Sequence, residues 1–405
     1  MSTRTWCVAA LLTVSVPAAS QTVLPEAEAL ARLSADSPRA RAIRAGVDVA
    51  RAEISTAGRW PNPRLTVDRE SVAGVSETLT TVLQPLPVTG RRELERSAAS
   101  AVADAHASRA DDEVRRVRAD LRLAYAELAA AQVRERELSR SRAQLVELVR
   151  ILEQREAAGD AAGFDRLRAV REVLDVDADL MIAASDVVGA QARLAGFFVP
   201  GTHPTTLVAA DLPPGAPDLP PLEALTERAE QTRGRLLALR KDQEAAQWAI
   251  RAADRRRFPE PEVLAGTKSS SLGGGDIGSV FGVQATLPLF DRGRPERAVA
   301  LARAGQAQAE LDAFRVVLRA DVAAARVAAL ARRRVAETYR ESALSTTGEV
   351  ERIARVSYDA GERGIFELLD AYRTSAAARV RQAALDVAAR AAEIELEFLS
   401  GWEIR

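Results

Sequence analysis

At 405 residues the chain has room for two or three globular domains or for one elongated one. Aromatic residues make up 4% of it and charged residues 28%, with a formal net charge of -1. So few bulky anchors suit long, closely packed helices better than a dense globular core, and the balanced charge lacks the basic excess that nucleic-acid binding needs.

The first twenty residues read as an export signal. Arg4 supplies a positive start, Trp6 to Val16 an apolar run, and Pro17-Ala18-Ala19-Ser20 a small-residue cleavage region. The apolar run is too short for an uncleaved membrane anchor. Cys7 is the single cysteine and lies within this segment, so the mature chain is expected to carry no disulfide, thiolate metal site or cysteine nucleophile. No later stretch reaches the roughly 18 to 20 apolar residues of a membrane helix. The exported chain is then either periplasmic or inserted as a β-barrel.

The first repeat is expected over 21–199. It begins with a helix over 26–58, stopped by Gly58 and Pro61. A hairpin follows over about 64–86, with Leu79 and Leu83 alternating against Thr80 and Val82 across a loop at 71–76. The stretch 91–157 has neither proline nor glycine. Val117, Leu121, Ala124, Leu128, Ala131, Leu138, Leu145, Val149 and Leu152 recur along it at helical spacing. At about 1.5 Å per residue this helix would be a rod of roughly 100 Å, which needs neighbours along its whole length. A shorter helix is expected over 164–196. The proline-rich stretch 200–221 reads as an extended connector with no element of its own.

The second repeat, 222–405, is expected to run helix, hairpin (about 262–290), long helix (294–356) and helix (366–400). Phe281, Val283, Ala285 and Leu287 alternate with Gly282, Gln284 and Thr286, which is period two. Ser269-Ser270-Ser271-Leu272-Gly273-Gly274-Gly275 reads as a hairpin tip; without a following lysine and helix it is no phosphate loop.

The two halves share three landmarks in the same order. Trp60-Pro61-Asn62-Pro63-Arg64-Leu65 corresponds to Phe258-Pro259-Glu260-Pro261-Glu262-Val263. Leu86, Gly90, Arg91 and Glu93 after Pro85 correspond to Leu289, Gly293, Arg294 and Glu296 after Pro288. Ala158-Gly159-Asp160 with Phe164, Asp165 and Leu167 recurs as Ala360-Gly361-Glu362 with Phe366, Glu367 and Leu369. The chain therefore reads as a tandem duplication. Four strands cannot close a barrel and lipid tolerates no open sheet edge, so strands that span a membrane must be pooled from several copies. Soluble hairpins on a periplasmic coiled coil are the alternative.

Trp60-Pro61-Asn62-Pro63, Gln84-Pro85-Leu86, Ala157-Ala158-Gly159-Asp160, Leu287-Pro288-Leu289-Phe290-Asp291 and Glu367-Leu368-Leu369-Asp370-Ala371 resemble the signatures of the TolC-like outer-membrane efflux proteins. Within that family they are similar to the cobalt-zinc-cadmium resistance branch. The resemblance covers essentially the whole mature chain. It implies a mainly α fold with a small β part, assembled as a homotrimer. Four strands per protomer would form one twelve-stranded β-barrel in the outer-membrane lipid, above a hollow periplasmic α-barrel. It implies a periplasmic adaptor and an inner-membrane RND-type pump as partners, and a passive conduit for heavy-metal cations. Organic toxicants are the alternative cargo. Tyr358, Arg363, Glu367 and Asp370 fall where the family has the links and acidic ring of its closed entrance, although Glu367 stands where an aspartate is usual. Three copies of Glu367 and Asp370 around an axis would favour cations. The turns carrying Gly159, Asp160 and Phe164, and Gly361, Glu362 and Phe366, are the expected adaptor contacts. Some members are acylated on a cysteine just after the signal; Cys7 stands too early for that.

Catalytic and metal chemistry have no foothold in the residues. His106 and His203 each lack a second histidine or a cysteine at ligand spacing, and Met181 is the one thioether of the mature chain. The carboxylates sit among arginines at helical spacing and read as surface ion pairs. The expectation is a protein with no cofactor and no resident metal that is not an enzyme.

Overall fold

The computed structural model describes residues 22–33, 37–158, 163–212, 218–273 and 275–403. The predicted export signal, with Cys7, lies outside them. In chain order the elements are strand β1 (Thr22–Leu24), helices α1 (Glu26–Arg32) and α2 (Pro38–Ala57), and strands β2 (Arg64–Val72) and β3 (Val75–Pro85). Helices α3 (Arg91–Ala157) and α4 (Gly163–Ala195) follow, then strand β4 (Leu207–Ala209), helices α5 (Leu222–Thr232) and α6 (Gly234–Arg255), and strands β5 (Pro261–Ser270) and β6 (Ile277–Ala285). Helices α7 (Arg294–Tyr339), α8 (Ser345–Asp359) and α9 (Ile365–Ser400) complete the chain. No described helix is long and apolar enough to cross a membrane.

The chain divides into two compact units, and each takes segments from both sequence halves. The units therefore do not coincide with the repeats. A helix of 67 residues cannot cover its own apolar stripe, so it takes its neighbours from distant sequence.

The first unit comprises residues 1–32, 124–213 and 347–383. Its core joins Leu145, Leu148 and Leu152 of α3 to Ala169 of α4, Tyr358 of α8, and Ile365, Leu368, Leu369 and Tyr372 of α9. The α9 residues are spaced three, four and seven apart, the period of one helix face. Arg379 of α9 lies 2.9 Å from Glu351 and 3.6 Å from Glu137, tying α9 to α8 and α3 by charge as well. The proline-rich connector is not elementless. A 3-10 turn at Pro204–Thr206 leads into β4, which pairs in parallel with β1. Tyr125 of α3 fixes both strands: its hydroxyl donates to the Leu24 carbonyl (2.8 Å) and accepts from the Ala210 amide (2.9 Å). Pairing between residues so far apart leaves no local pattern, and proline spacing conceals a three-residue strand.

The second unit comprises residues 33–123, 214–346 and 384–405. Its core runs along α7 through Leu311, Leu318, Val322 and Ala329. Leu225 and Ala229 of α5, Leu236 and Leu239 of α6, and Ala392 and Leu396 of α9 pack on it. Gly234, where α6 begins, is required by proximity: a Cβ there would collide with the Ser108 carbonyl oxygen of α3. Beside it Arg233 breaks α5 from α6, stacking 3.8 Å over the Phe398 ring and donating to the Phe398 carbonyl.

Two expected helices are interrupted. The one read over 26–58 is α1 and α2, because Ser37 caps α2 by accepting from the Ala40 amide (3.2 Å) and Pro38 occupies its first turn. The second long helix carries a π-helical turn at Arg340–Leu344, followed by Ser345, Thr346 and Thr347. The Ser345 hydroxyl donates to the Glu341 carbonyl and that of Thr346 to the Ala343 carbonyl, so side chains compete for the helix's own acceptors.

Candidate functional site

The four long strands of the second unit form one antiparallel sheet in the order β2-β3-β5-β6. At nine to eleven residues each, they have the length of membrane-spanning β-strands. The register sorts their side chains onto two faces. Leu65 and Val67 pair with Val82 and Thr80, these with Ala265 and Thr267, and these with Phe281 and Ser279. Val263, Ile277 and Val283 share that face. The opposite face carries Arg64, Thr66, Asp68, Glu70, Glu77, Thr81, Glu262, Lys268 and Gln284, with Leu79, Leu83 and Leu264 among them.

Burial runs against the rule for a sheet in water. The apolar face is exposed, from 41% at Val263 to 80% at Phe281, whereas Thr81 and Leu83 of the polar face are buried. Thr66 and Thr81 hydrogen-bond across the polar face at 2.6 Å, and Gln84 and Gln284 hold backbone and carboxylate partners at the foot of the sheet. The outer edges of β2 and β6 pair with nothing among the described residues, leaving two open ladders. The alternation over Phe281, Val283 and Ala285 was legible in the sequence. The outward set on β2 was missed, although Leu65-Thr66-Val67 carries the same period.

The register also corrects the repeat alignment. Arg64 faces Leu83 and its counterpart Glu262 faces Gln284, so Leu83 corresponds to Gln284, and Leu86-Pro87-Val88 to Leu287-Pro288-Leu289. Matching turns agree: the Val88 amide donates to the Leu86 carbonyl and the Leu289 amide to the Leu287 carbonyl, both at 2.9 Å. The expected match of Leu86 to Leu289 is therefore two residues out. Gly90 and Gly293, both with positive φ, still correspond, and the second half holds two extra residues before Gly293. For the same reason β6 ends at Ala285, not near 290.

In the first unit, α8 is followed by Gly361, whose φ of 72° lets the Glu362 amide reach back to the Ser357 carbonyl (2.9 Å). Tyr358 is buried in the core, with the Arg155 guanidinium 5.3 Å from its ring centre. Burial pushes its phenol above the ordinary value, Arg155 opposing. Arg363, Glu362 and Glu367 are exposed, and none has an ion pair among the described residues. Asp370 lies 3.0 Å from Arg373. Phe366 is exposed beneath the Arg168 guanidinium (4.4 Å), and Phe164 is exposed. Gly159 and Asp160 lie outside the described residues.

Among the described residues no group of three or more His, Cys, Asp or Glu side chains is arranged to hold a metal. His106 is exposed on α3, and the His203 ring nitrogen Nδ1 lies 2.9 Å from the Thr205 hydroxyl.

The described chain is thus mainly helical and carries one four-stranded sheet whose apolar face is exposed. Residues 225–402 match the family model described as outer membrane efflux protein. Over 228 residues the chain is 25% identical to the cobalt-zinc-cadmium resistance protein CzcC of Cupriavidus metallidurans. The match covers 56% of this chain and 54% of CzcC, about half the length of each. Its fold is that of a membrane protein from Pseudomonas aeruginosa, with a TM-score of 0.77, 21% identity and 93% of both chains covered. The outer membrane protein VceC of Vibrio cholerae is equally similar in fold, with a TM-score of 0.75, 16% identity, and 94% of this chain and 97% of that one covered.

Proposed function

We propose that this protein is the outer-membrane channel of a tripartite efflux system, a passive trimeric conduit for divalent heavy-metal cations. The sheet carries the reading. An apolar face turned outward and a polar face turned inward fit a wall between lipid and a water-filled passage. Open edges are untenable in lipid, so copies must join edge to edge, and three copies of four strands make twelve.

The internal repeat supports a register for that junction. Within one chain, the last strand of the first hairpin pairs with the first strand of the second, Val82 facing Ala265 and the Leu86 amide donating to the Pro261 carbonyl (2.8 Å). The same relation carried to the next copy sets β6 against β2, with Val283 facing Val67, Ala285 facing Leu65, and the Leu287 amide donating to the Pro63 carbonyl. Apolar residues then face apolar residues on the outer side.

At the periplasmic entrance, Arg363, Glu367 and Asp370 supply the charges and Tyr358 a packed support, while Phe164, Gly361, Glu362 and Phe366 offer the turn surface to a periplasmic adaptor. The adaptor and an RND-type inner-membrane pump supply energy and selectivity. The likeness to a cobalt-zinc-cadmium resistance protein favours metal cations as cargo.

The test has two parts. Val67→Cys and Val283→Cys in one chain, oxidised in membranes, should give covalent dimers and trimers; a chain that stays monomeric overturns the junction. A strain lacking the protein should be sensitive to zinc, cobalt and cadmium. Sensitivity to dyes and detergents alone overturns the metal cargo.

A further inference from the structure

One end of the sheet carries a concentration of cations that its neighbours do not neutralise. The strands meet the helices there, through residues 59–63, 86–90, 255–260 and 286–293. The acids at this end are mostly engaged. Glu260 holds Arg91 at 3.1 Å and accepts from the Thr89 hydroxyl, Glu296 holds Arg256 at 2.8 Å, and Asp254 holds Arg297 at 2.9 Å. Asp291 accepts from the Gly293 amide and Glu262 from the Gln284 side chain. Arg59, Arg255, Arg292 and Arg294 are exposed and have no ion pair among the described residues, against three acids without one, Glu93, Glu262 and Asp291. The fold sets Arg292 and Arg294 beside the end of α6 that carries Arg255, since the space beside Gly293 is filled by the Ala253 carbonyl and the Arg256 side chain, while Arg59 stands at the same end of the sheet, before β2. Arg294 opens α7, where the helix dipole disfavours a cation, so the helix itself does not account for it. The other end of the sheet differs. The loops at 71–76 and 269–279 contain no lysine or arginine and one aspartate, Asp276.

Beside these cations lie exposed apolar side chains, placed alike in both halves. Trp60 and Phe258 enter the hairpins, and Val88 and Leu289 leave them. Phe290, in the two-residue addition, is 99% exposed. Trp60 lies under the Arg92 guanidinium at 4.8 Å and Phe258 beside that of Arg257 at 4.9 Å. Apolar bodies rimmed by cations fit the boundary between acyl chains and phosphates, and do not fit plain water.

We infer that this end of the sheet is a collar that binds anionic phospholipid: Arg59, Arg255, Arg292 and Arg294 contact the headgroup phosphates, and Trp60, Val88, Leu289 and Phe290 sit among the glycerol and upper acyl chains. The inference rests on the sheet spanning a membrane and adds which lipid is held and at which end. Guanidinium groups suit the task because their planar fork meets phosphate oxygens in pairs. The collar would fix the depth of the sheet in the bilayer.

The test reconstitutes the full chain in phosphatidylcholine vesicles containing spin-labelled phosphatidylglycerol or spin-labelled phosphatidylcholine, and reads the motionally restricted lipid by electron paramagnetic resonance. The expected result is a preference for phosphatidylglycerol of at least about fivefold, the effect of one arginine at an anionic surface. High salt should abolish it, as should the combined Arg59→Gln, Arg255→Gln, Arg292→Gln and Arg294→Gln variant, while lysine at the same four positions retains it. Restricted lipid without preference in the native chain, or a preference that survives glutamine or high salt, overturns the collar and leaves the membrane-spanning sheet standing. The salt titration reads the native protein alone, so a variant that fails to fold does not spare the inference. Absence of restricted lipid of either kind overturns the spanning sheet itself.

Discussion

The Lys268 ammonium lies 2.6 Å from the Glu77 carboxylate, linking the two hairpins across the β3–β5 pair on the polar face of the sheet. Both side chains are partly exposed, so the pair contributes at most about 1 kcal/mol to stability. Its larger consequence is charge, because Lys268 stands on a face that also carries Asp68, Glu70 and Glu262. If that face lines the passage, Lys268→Gln raises cation preference and Glu77→Gln lowers it, with little change in unfolding. Reversal potentials across a planar bilayer under a salt gradient decide the matter. Unmoved potentials in both variants would mean that ions pass elsewhere.

Tyr358 is expected from the sequence at the entrance, and its burial among Leu152, Ile365 and Leu368 gives it a packing role as well. Tyr358→Ala should cost about 3–5 kcal/mol through the cavity it leaves, whereas Tyr358→Phe keeps the ring under Arg155 and should cost only about 1 kcal/mol. Hydrogen exchange over α8 and the start of α9 measures both. A phenylalanine variant that raises single-channel conductance without loosening these helices would assign the hydroxyl to the entrance; an alanine variant with unchanged exchange would remove Tyr358 from the core.

Much of this fold could be read from residues whose spacing is local. Val117, Leu121, Leu128, Leu145 and Leu152 were expected on one stripe of α3 and are buried. Phe281 and Val283 were expected to alternate and do so on an exposed face. What escaped depends on partners far away in sequence. The β1–β4 ladder joins residues 22–24 to 207–209 and needs Tyr125 to hold it, which no window of sequence contains. The repeat register failed for a subtler reason. Leu86-Pro87 and Leu287-Pro288 are the matching pair, but Pro85 offered a second proline two residues earlier, and only strand pairing separates them. Among the residues expected at an entrance, the sequence showed neither the pairing of Asp370 with Arg373 nor the burial of Tyr358.

Glu393 of α9 is 2% exposed and lies against Arg333 of α7, with Arg390 at 3.4 Å. Removing one member of a buried pair strands the other charge, so Glu393→Ala is expected to destabilise the protein by about 3–5 kcal/mol. Replacing Arg333 by Met together with Glu393 by Leu should be milder, because Arg333 is then not left buried without its partner and volume is kept, with only the more exposed Arg390 losing a contact. Denaturant unfolding in detergent compares the two. A double variant as damaged as the single one would show that this contact specifies helix register in addition to satisfying charge.

Glu260, just before β5, connects the two hairpin roots through Thr89 and Arg91. Burial pushes its pKa up, but the hydrogen bonds from Thr89 and Arg91 outweigh this and hold the carboxyl below its ordinary range. A carboxyl lowered on folding adds stability that is fully present above its unfolded value and disappears as pH falls through the lowered one. The native protein should therefore lose part of its thermal stability below about pH 4, the ordinary carboxylate range. Glu260→Gln should lose that part already at neutral pH and show a flatter decline on acidification. Thermal unfolding of both proteins between neutral and acid pH makes the comparison. Parallel curves, with the variant displaced by the same amount at every pH, would mean that the Glu260 contacts act through shape alone and that the acid response of the hairpin roots comes from another carboxylate.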